Sequence, residues 1–280
     1  MRRERFGNTG VPVPVIGEGT WNMERDRGDE TIAAVRLAIE LGATHIDTAE
    51  LYGRGRVETM LGEALAGLRD HVYLVSKVLP DNASRRGTIA ACERSLQRLG
   101  TERLDCYLLH WPGRHPLEDT VLAFRELVRA GKIAAWGVSN FDVDDLEALA
   151  EIAEPNEIAC NQVLYHLEQR AIEHRVLPWC RARGIATVAY SPLGSGAFVR
   201  PGSAGGKVLA EIAARYDATP QQIALAWLVR EPDVLAIPKA TRAEHVRANV
   251  AAADLALTPE DVDAIDRAFP RGRSRGLPTL

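Results

Sequence analysis

The feature that most narrows the fold of this 280-residue chain is a unit that recurs along its length. A short apolar run is followed by an amphipathic stretch of helical period. Glycine often closes that stretch, and a few residues later the next apolar run begins. Eight runs are expected to be strands: 13–17 (VPVIG), 43–47 (ATHID), 72–77 (VYLVSK), 104–110 (LDCYLLH), 133–138 (IAAWGV), 158–162 (IACNQ), 185–190 (IATVAY) and 234–238 (VLAIP). Continuous apolar character of this kind suits strands buried on both faces, as in parallel sheets. The helices between them have good starts and stops. Gly42, Gly100, Gly131 and Gly184 each sit just past a helical run, where a C-cap glycine belongs. Thr219-Pro220 and Thr258-Pro259 set an N-cap before a proline at the first helical position. Ile32, Val35 and Ile39 form one core stripe, and Ile89, Cys92, Leu96 and Leu99 another. Eight such alternations predict an α/β fold, a closed (β/α)8 TIM barrel in a single domain over 1–280. The alternative is an open doubly wound sheet. Its dinucleotide fingerprint is broken here, because Asn22 stands where Gly17-Glu18-Gly19 would require a third glycine.

Composition bounds the function classes. A 46% hydrophobic content over 280 residues builds a large core. A net charge of -4 and a pI near 6.0 give no general basic face, so nucleic acid is not an expected partner. The N-terminal MRRERFGNTG leads into no long apolar run, and neither a signal peptide nor a membrane span is expected. Cys92, Cys106, Cys160 and Cys180 are widely spaced and read as reduced, buried thiols of a cytoplasmic protein. Residues 1–12 read as a polar lead-in with a hairpin. Residues 191–206 (SPLGSGAFVRPGSAGG) form a Gly/Pro/Ser-rich loop after the seventh strand, where barrels hold phosphate, and 271–280 form a basic, mobile tail. The seven histidines include no H-x-x-x-H pair and no cysteine partner at ligand spacing, so no metal is expected.

In a barrel of this kind the C-terminal ends of the strands converge on one pocket. Those ends carry Trp21, Asp47 with Tyr52, Lys77, His110 with Trp111, Ser139 and Asn140, Gln162, Tyr190 and Lys239. Each alone has an ordinary reading: a cap for Asp47, a snorkelling side chain for Lys77, a satisfied core imidazole for His110. Gathered on one rim they suit carbonyl reduction, which needs a proton and a polar anchor for the developing alkoxide. A free tyrosine, with a pKa of about 10, is a reluctant donor at neutral pH. An ammonium beside it is expected to draw that pKa down, and a carboxylate behind the lysine to keep it charged. Side chains hold no hydride, so a cofactor is required. Lys77, Lys132, Lys207 and Lys239 are the only lysines; arginine supplies the remaining basic charge. A lysine kept in such a chain has a raised chance of needing a compact, tunable ammonium.

These residues also match a family. GTWNM (19–23), HIDTAELYG (45–53), LVSKV (74–78), LLHWP (108–112), WGVSNF (136–141), NQVLYH (161–166), AYSPLG (189–194) and IPKATRAEHVRAN (237–249) appear in order, and the chain from about Gly7 to its last helix resembles the aldo-keto reductases. It is most similar to short prokaryotic members such as methylglyoxal-reductase-like enzymes. The resemblance implies an NADPH-dependent reductase of aldehydes and ketones, methylglyoxal and related dicarbonyls among them, that works as a monomer on small carbonyl substrates. It implies a tetrad of Asp47, Tyr52, Lys77 and His110, with Tyr52 as general acid. Ser139, Asn140 and Gln162 would hold the nicotinamide carboxamide, Tyr190 would stack on its ring, and Ser191, Leu193 and Ser195 would line the pyrophosphate under a loop over 191–206. Lys239, Ala240, Thr241, Arg242 and His245 would surround the ribose 2′-phosphate, at the start of a helix where anions are favoured, and Asn249 would reach the adenine. Trp21, Met23, Tyr52, His110 and Trp111 would form the substrate wall, with Trp21 also against the cofactor. The chain departs from the family at His245 and Ala248, where many members carry Arg and Glu. NADPH is expected ahead of NADH, with weaker discrimination.

Two other readings fit parts of this pattern. Lys77 at a barrel strand end suits a Schiff-base enzyme, and an intact fold with its nucleotide suits a non-catalytic sensor.

Overall fold

In the computed structural model, which describes residues 1–274 and 276–279, the apolar runs line up as one parallel sheet wrapped into a barrel. The first run is the exception. Its start is β2 (Pro12–Pro14), which pairs antiparallel with β1 (Arg3–Arg5) in a hairpin outside the barrel. The barrel strand proper is β3 (Glu18–Gly19). The expected strand over 13–17 is therefore divided between a hairpin and the lead into the barrel. Phe6, directly after β1, is fully buried against the rings of His45 and Tyr73. Those two residues begin β4 (His45–Asp47) and β5 (Tyr73–Val78), so the hairpin closes the N-terminal mouth.

The sheet continues through β6 (Leu104–Leu109), β7 (Ile133–Ser139), β8 (Ile158–Leu164), β9 (Ala186–Tyr190) and β10 (Val234–Ile237), each parallel to its predecessor. It closes where the lead into β3 meets β10: Gly17 N–H donates to Ala236 O at 2.9 Å and Gly19 N–H to Pro238 O at 2.9 Å. The glycines around Glu18 allow close approach on both sides, Gly17 to β4 and Gly19 to β10. A Cβ on Gly17 would lie 2.5 Å from His45 O, and one on Gly19 2.5 Å from Ile237 O. β5 and β8 are buried along their whole length, the condition a parallel sheet covered on both faces imposes.

The helices are α1 (Gly28–Glu40), α2 (Arg56–Ala64), α3 (Arg85–Leu99), α4 (Leu117–Arg129), α5 (Val143–Ala150), α6 (Val176–Arg181), α7 (Ala204–Arg215), α8 (Pro220–Leu228), α9 (Ala243–Ala251) and α10 (Pro259–Ala268). Gly42, Gly100, Gly131 and Gly184 all take positive φ just beyond helical segments, and Thr219 and Thr258 close capping boxes ahead of their prolines. Val35, Ile39, Cys92, Leu96 and Leu99 are core residues, with Ile32 and Ile89 packed against them.

The loop expected over 191–206 ends sooner. Ser203 caps α7 by accepting the N–H of Gly206, and Gly205 and Gly206 lie inside the helix. A Cβ at 206 would come within 2.1 Å of Arg200 O, so glycine here marks close packing rather than a loop. The tail expected over 271–280 includes Arg275 and Leu280, which lie outside the described residues. Its described part touches the barrel: Leu277 N–H donates to Asp142 Oδ2 at 3.2 Å, and Arg271 pairs with Glu173 at 3.6 Å. All four cysteines are buried free thiols. No helix among the described residues is long and apolar enough to cross a membrane.

Candidate active site

Sheet register gathers the polar strand ends. Asp47 ends β4, Lys77 is next to last in β5, His110 follows β6, Ser139 ends β7, Gln162 lies in β8 opposite Ser139, and Tyr190 ends β9. Lys77 is completely buried, and all three of its ammonium hydrogens are used. It donates to Asp47 Oδ1 at 2.5 Å, Thr48 O at 2.7 Å and Tyr52 Oη at 3.2 Å. The other oxygen of Asp47 accepts from Gln162 Nε2 at 2.7 Å, which ties the pair to the far side of the barrel. A buried ion pair persists only when its remaining hydrogen-bonding capacity is met in this way.

Tyr52 reaches this pair from a short helical turn. After it, Gly53, Arg54 and Gly55 are all left-handed, with φ of 56°, 55° and 87°. Three such residues in succession reverse the chain sharply. Neither glycine has room for a side chain: a Cβ on Gly53 would meet Glu24 at 2.9 Å, and one on Gly55 would meet Arg98 at 2.7 Å. Arg98 is itself fixed by the buried Glu58, whose other oxygen accepts from Ser76 at 2.6 Å.

The electrostatics correct one expectation. Burial pushes the Tyr52 phenol up, and the opposing pull of Lys77 does not overcome it, so the phenol titrates above its ordinary value rather than below it. Desolvation in the packed barrel end outweighs one ammonium whose charge Asp47 already offsets. Burial works against the charge on Lys77 as well, but Asp47 and Tyr52 together raise it above its usual range. His110 is driven well below its usual value by burial and then by Lys77, so its imidazole is neutral. Its ring stands edge-on to Tyr52, with centroids 5.9 Å apart.

These groups open onto a cavity of about 500 Å³. Trp21, Asp47, Tyr52, His110, Trp111, Ser139, Asn140, Gln162, Tyr190, Ser191, Leu193, Ser195 and Lys239 all line it. One wall is amide-rich: Asn140, at φ 60°, donates to His110 O and Ser139 Oγ at 3.1 Å and accepts from Tyr190 Oη at 2.9 Å. Further along, Ser191 and Ser195 have left-handed backbones and share a hydrogen bond of 2.7 Å. Lys239 stands beyond them, paired with Asp26. A flat aromatic and amide surface near the Tyr52 hydroxyl, with hydroxyls and an ammonium at the other end, fits a ring carboxamide joined to phosphates.

Met23 is a correction. It is fully buried in the core and lies outside the cavity lining, because the chain turns inward after the left-handed Asn22. Ala240, Thr241, Arg242, His245 and Asn249 also lie outside the lining. Ala240 N–H donates to the buried Glu18 Oε1 at 2.7 Å. Arg242 donates to His245 Nε2 at 2.8 Å and pairs with Glu244 at 3.3 Å. Asn22 and Leu51 line the cavity without having been anticipated from the sequence; Leu51, 40% exposed, is an apolar side chain on an open rim. Among the described residues no group of three His, Cys, Asp or Glu is arranged to hold a metal ion.

A model of the aldo/keto reductase family matches residues 15–269. The chain is 44% identical over 267 residues to methylglyoxal reductase YeaE of Escherichia coli K12, covering 95% of this chain and 94% of that one. It is 35% identical over 260 residues to glyoxal reductase of Bacillus subtilis 168, covering 92% and 90% of the two chains. Among solved structures it is similar to an aldo/keto reductase from Klebsiella pneumoniae in complex with NADP and acetate, at 43% identity, a TM-score of 0.95 and full coverage of both chains.

Proposed function

Because this chain belongs to the aldo/keto reductase family, we propose that it is an NADPH-dependent reductase of small aldehydes and ketones, with methylglyoxal and glyoxal among its substrates. The relatives with those names and the NADP-bound neighbour support this reading. NADPH, when bound, supplies the hydride.

The remaining work falls to this chain's side chains. The single observation that carries the reading is the relay in which one buried ammonium holds Asp47 at 2.5 Å and the Tyr52 hydroxyl at 3.2 Å. Tyr52 Oη gives its proton to the carbonyl oxygen. Because burial holds the phenol protonated, the donor is loaded at neutral pH. Lys77 acts at the next moment: its ammonium stabilises the phenolate left behind, when charge develops there. His110, a neutral imidazole at the rim, donates to the carbonyl oxygen from the other side and orients it. Trp21, Leu51 and Trp111, each more than a third exposed, give the substrate an open apolar wall. Ser139, Asn140 and Gln162 would hold the nicotinamide carboxamide, with Tyr190 for its ring. Ser191, Leu193 and Ser195 would hold the pyrophosphate, Lys239 the 2′-phosphate and Asn249 the adenine. The protein acts as a cytoplasmic monomer.

A Schiff base at Lys77 fits less well, since that chemistry needs a neutral amine and Asp47 holds this one charged. Tyr52→Phe is the test. It should lower NADPH consumption with methylglyoxal by on the order of a hundredfold or more, with NADPH binding close to wild type. A fully active variant would remove Tyr52 from proton donation, and trapping of substrate on Lys77 by borohydride would replace reduction with imine chemistry.

A further inference from the structure

We propose that Asp26 is a specificity-determining residue of the nucleotide site: its carboxylate competes with a ribose 2′-phosphate for the Lys239 ammonium and so narrows the preference for NADPH over NADH. This rests on the reading of Lys239 as the 2′-phosphate partner.

Lys239 follows β10, and Asp26 ends the short helical turn after β3. Those strands meet at the barrel seam, where Gly19 N–H donates to Pro238 O at 2.9 Å. Across it the Lys239 ammonium and the Asp26 carboxylate form an ion pair, each side chain 32% exposed. Among the described residues neither has a second ion-pair partner. The segment carrying Lys239 is anchored from below, because Ala240 N–H is bound to Glu18, a buried side chain on β3. Exchange of the ammonium's partner therefore falls to the exposed side-chain ends rather than to a shift of the loop.

The guanidinium next along the chain already has partners of its own. Arg242, the N-cap of α9, pairs with Glu244 and donates to His245. A 2′-phosphate brings up to two negative charges to an ammonium that already has a carboxylate partner. It either displaces Asp26 or sits beside it against like-charge repulsion. A ribose 2′-hydroxyl brings no charge and donates a hydrogen bond to a carboxylate, the way acidic residues recognise NAD. Asp26 thus penalises one nucleotide and accommodates the other.

The test is calorimetric titration of the full chain with 2′,5′-ADP and with 5′-ADP, repeated with NADPH and NADH. For Asp26→Asn, 2′,5′-ADP and NADPH should tighten about three- to tenfold while 5′-ADP and NADH change less than about twofold or weaken. The gain should shrink with added salt and vanish in an Asp26→Asn/Lys239→Ala double variant. If Asp26→Asn leaves 2′,5′-ADP unchanged or weaker while Lys239→Ala still loses the 2′-phosphate preference, the role of Asp26 is overturned and that of Lys239 stands. If Lys239→Ala weakens both nucleotides equally, both assignments fall.

Discussion

At the scale of single residues, the site is a balance between what burial opposes and what neighbours restore. Burial opposes the charge on Lys77, and Asp47 with Tyr52 more than restores it; burial favours the protonated phenol of Tyr52, and Lys77 softens that without reversing it. Lys77→Met should therefore do two separable things. Turnover should fall by about a hundred- to ten-thousandfold, because the phenolate loses its support. Folding stability should fall by about 3 kcal/mol or more, because Asp47 stays buried without its partner. Steady-state kinetics and thermal melting read the two effects, and a variant with a wild-type rate would take the ammonium out of the chemistry. That Asp47, Tyr52, Lys77 and His110 come together was legible in the sequence, because the Asp47–Tyr52 spacing and the strand-end positions of Lys77 and His110 survive translation into three dimensions. The direction of Tyr52's titration was not legible, since it depends on how much solvent the packed barrel end removes. Met23 lies outside the cavity for a related reason: a left-handed Asn22 turns the chain inward three residues after a strand, and no hydropathy pattern records that turn.

At the scale of elements, the seam between β3 and β10 leaves no room for a side chain at Gly19. Gly19→Ala would press a methyl group towards Ile237 O at 2.5 Å, and the seam must open to admit it. The expected cost is about 1–3 kcal/mol, read as a lower urea midpoint. Weaker nucleotide binding should accompany it, because Trp21 and Lys239 flank this joint. An alanine variant as stable as wild type would mean that the seam is looser than drawn. Helix ends were well anticipated, since a capping threonine or a C-terminal glycine acts on its own neighbours. The first strand was not. Residues 12–14 find an antiparallel partner in 3–5, a pairing set by a reversal at 7–10 rather than by apolar character. Glycine at 205 and 206 misled in the opposite direction, since the reason for it is an adjacent chain, not a bend.

At the scale of the whole molecule, the barrel buries imidazoles that solvent would otherwise protonate. His45 is held down to about 4 chiefly by burial, with Asp47 opposing and Lys77 adding to the effect. A folded-state histidine below its unfolded value of about 6.5 means that the unfolded chain binds more protons under acid conditions. Stability should therefore be intact above about pH 6.5 and decline as pH falls towards 4, by up to about 3 kcal/mol from this residue. His110, also depressed, adds in the same direction. Urea unfolding across that range checks the slope, and His45→Leu should flatten part of it; an unchanged slope would assign acid sensitivity elsewhere. By itself the sequence determined the alternation of strand and helix, the helix ends, and the residue types delivered to the strand ends, because these follow from periodicity and from contacts a few residues apart. Only the tertiary structure decided which of those residues line one cavity, which way burial moves Tyr52, and that Asp26 meets Lys239 across the seam. Such outcomes depend on closure of a sheet between segments more than two hundred residues apart, and neither local propensity nor spacing encodes that distance.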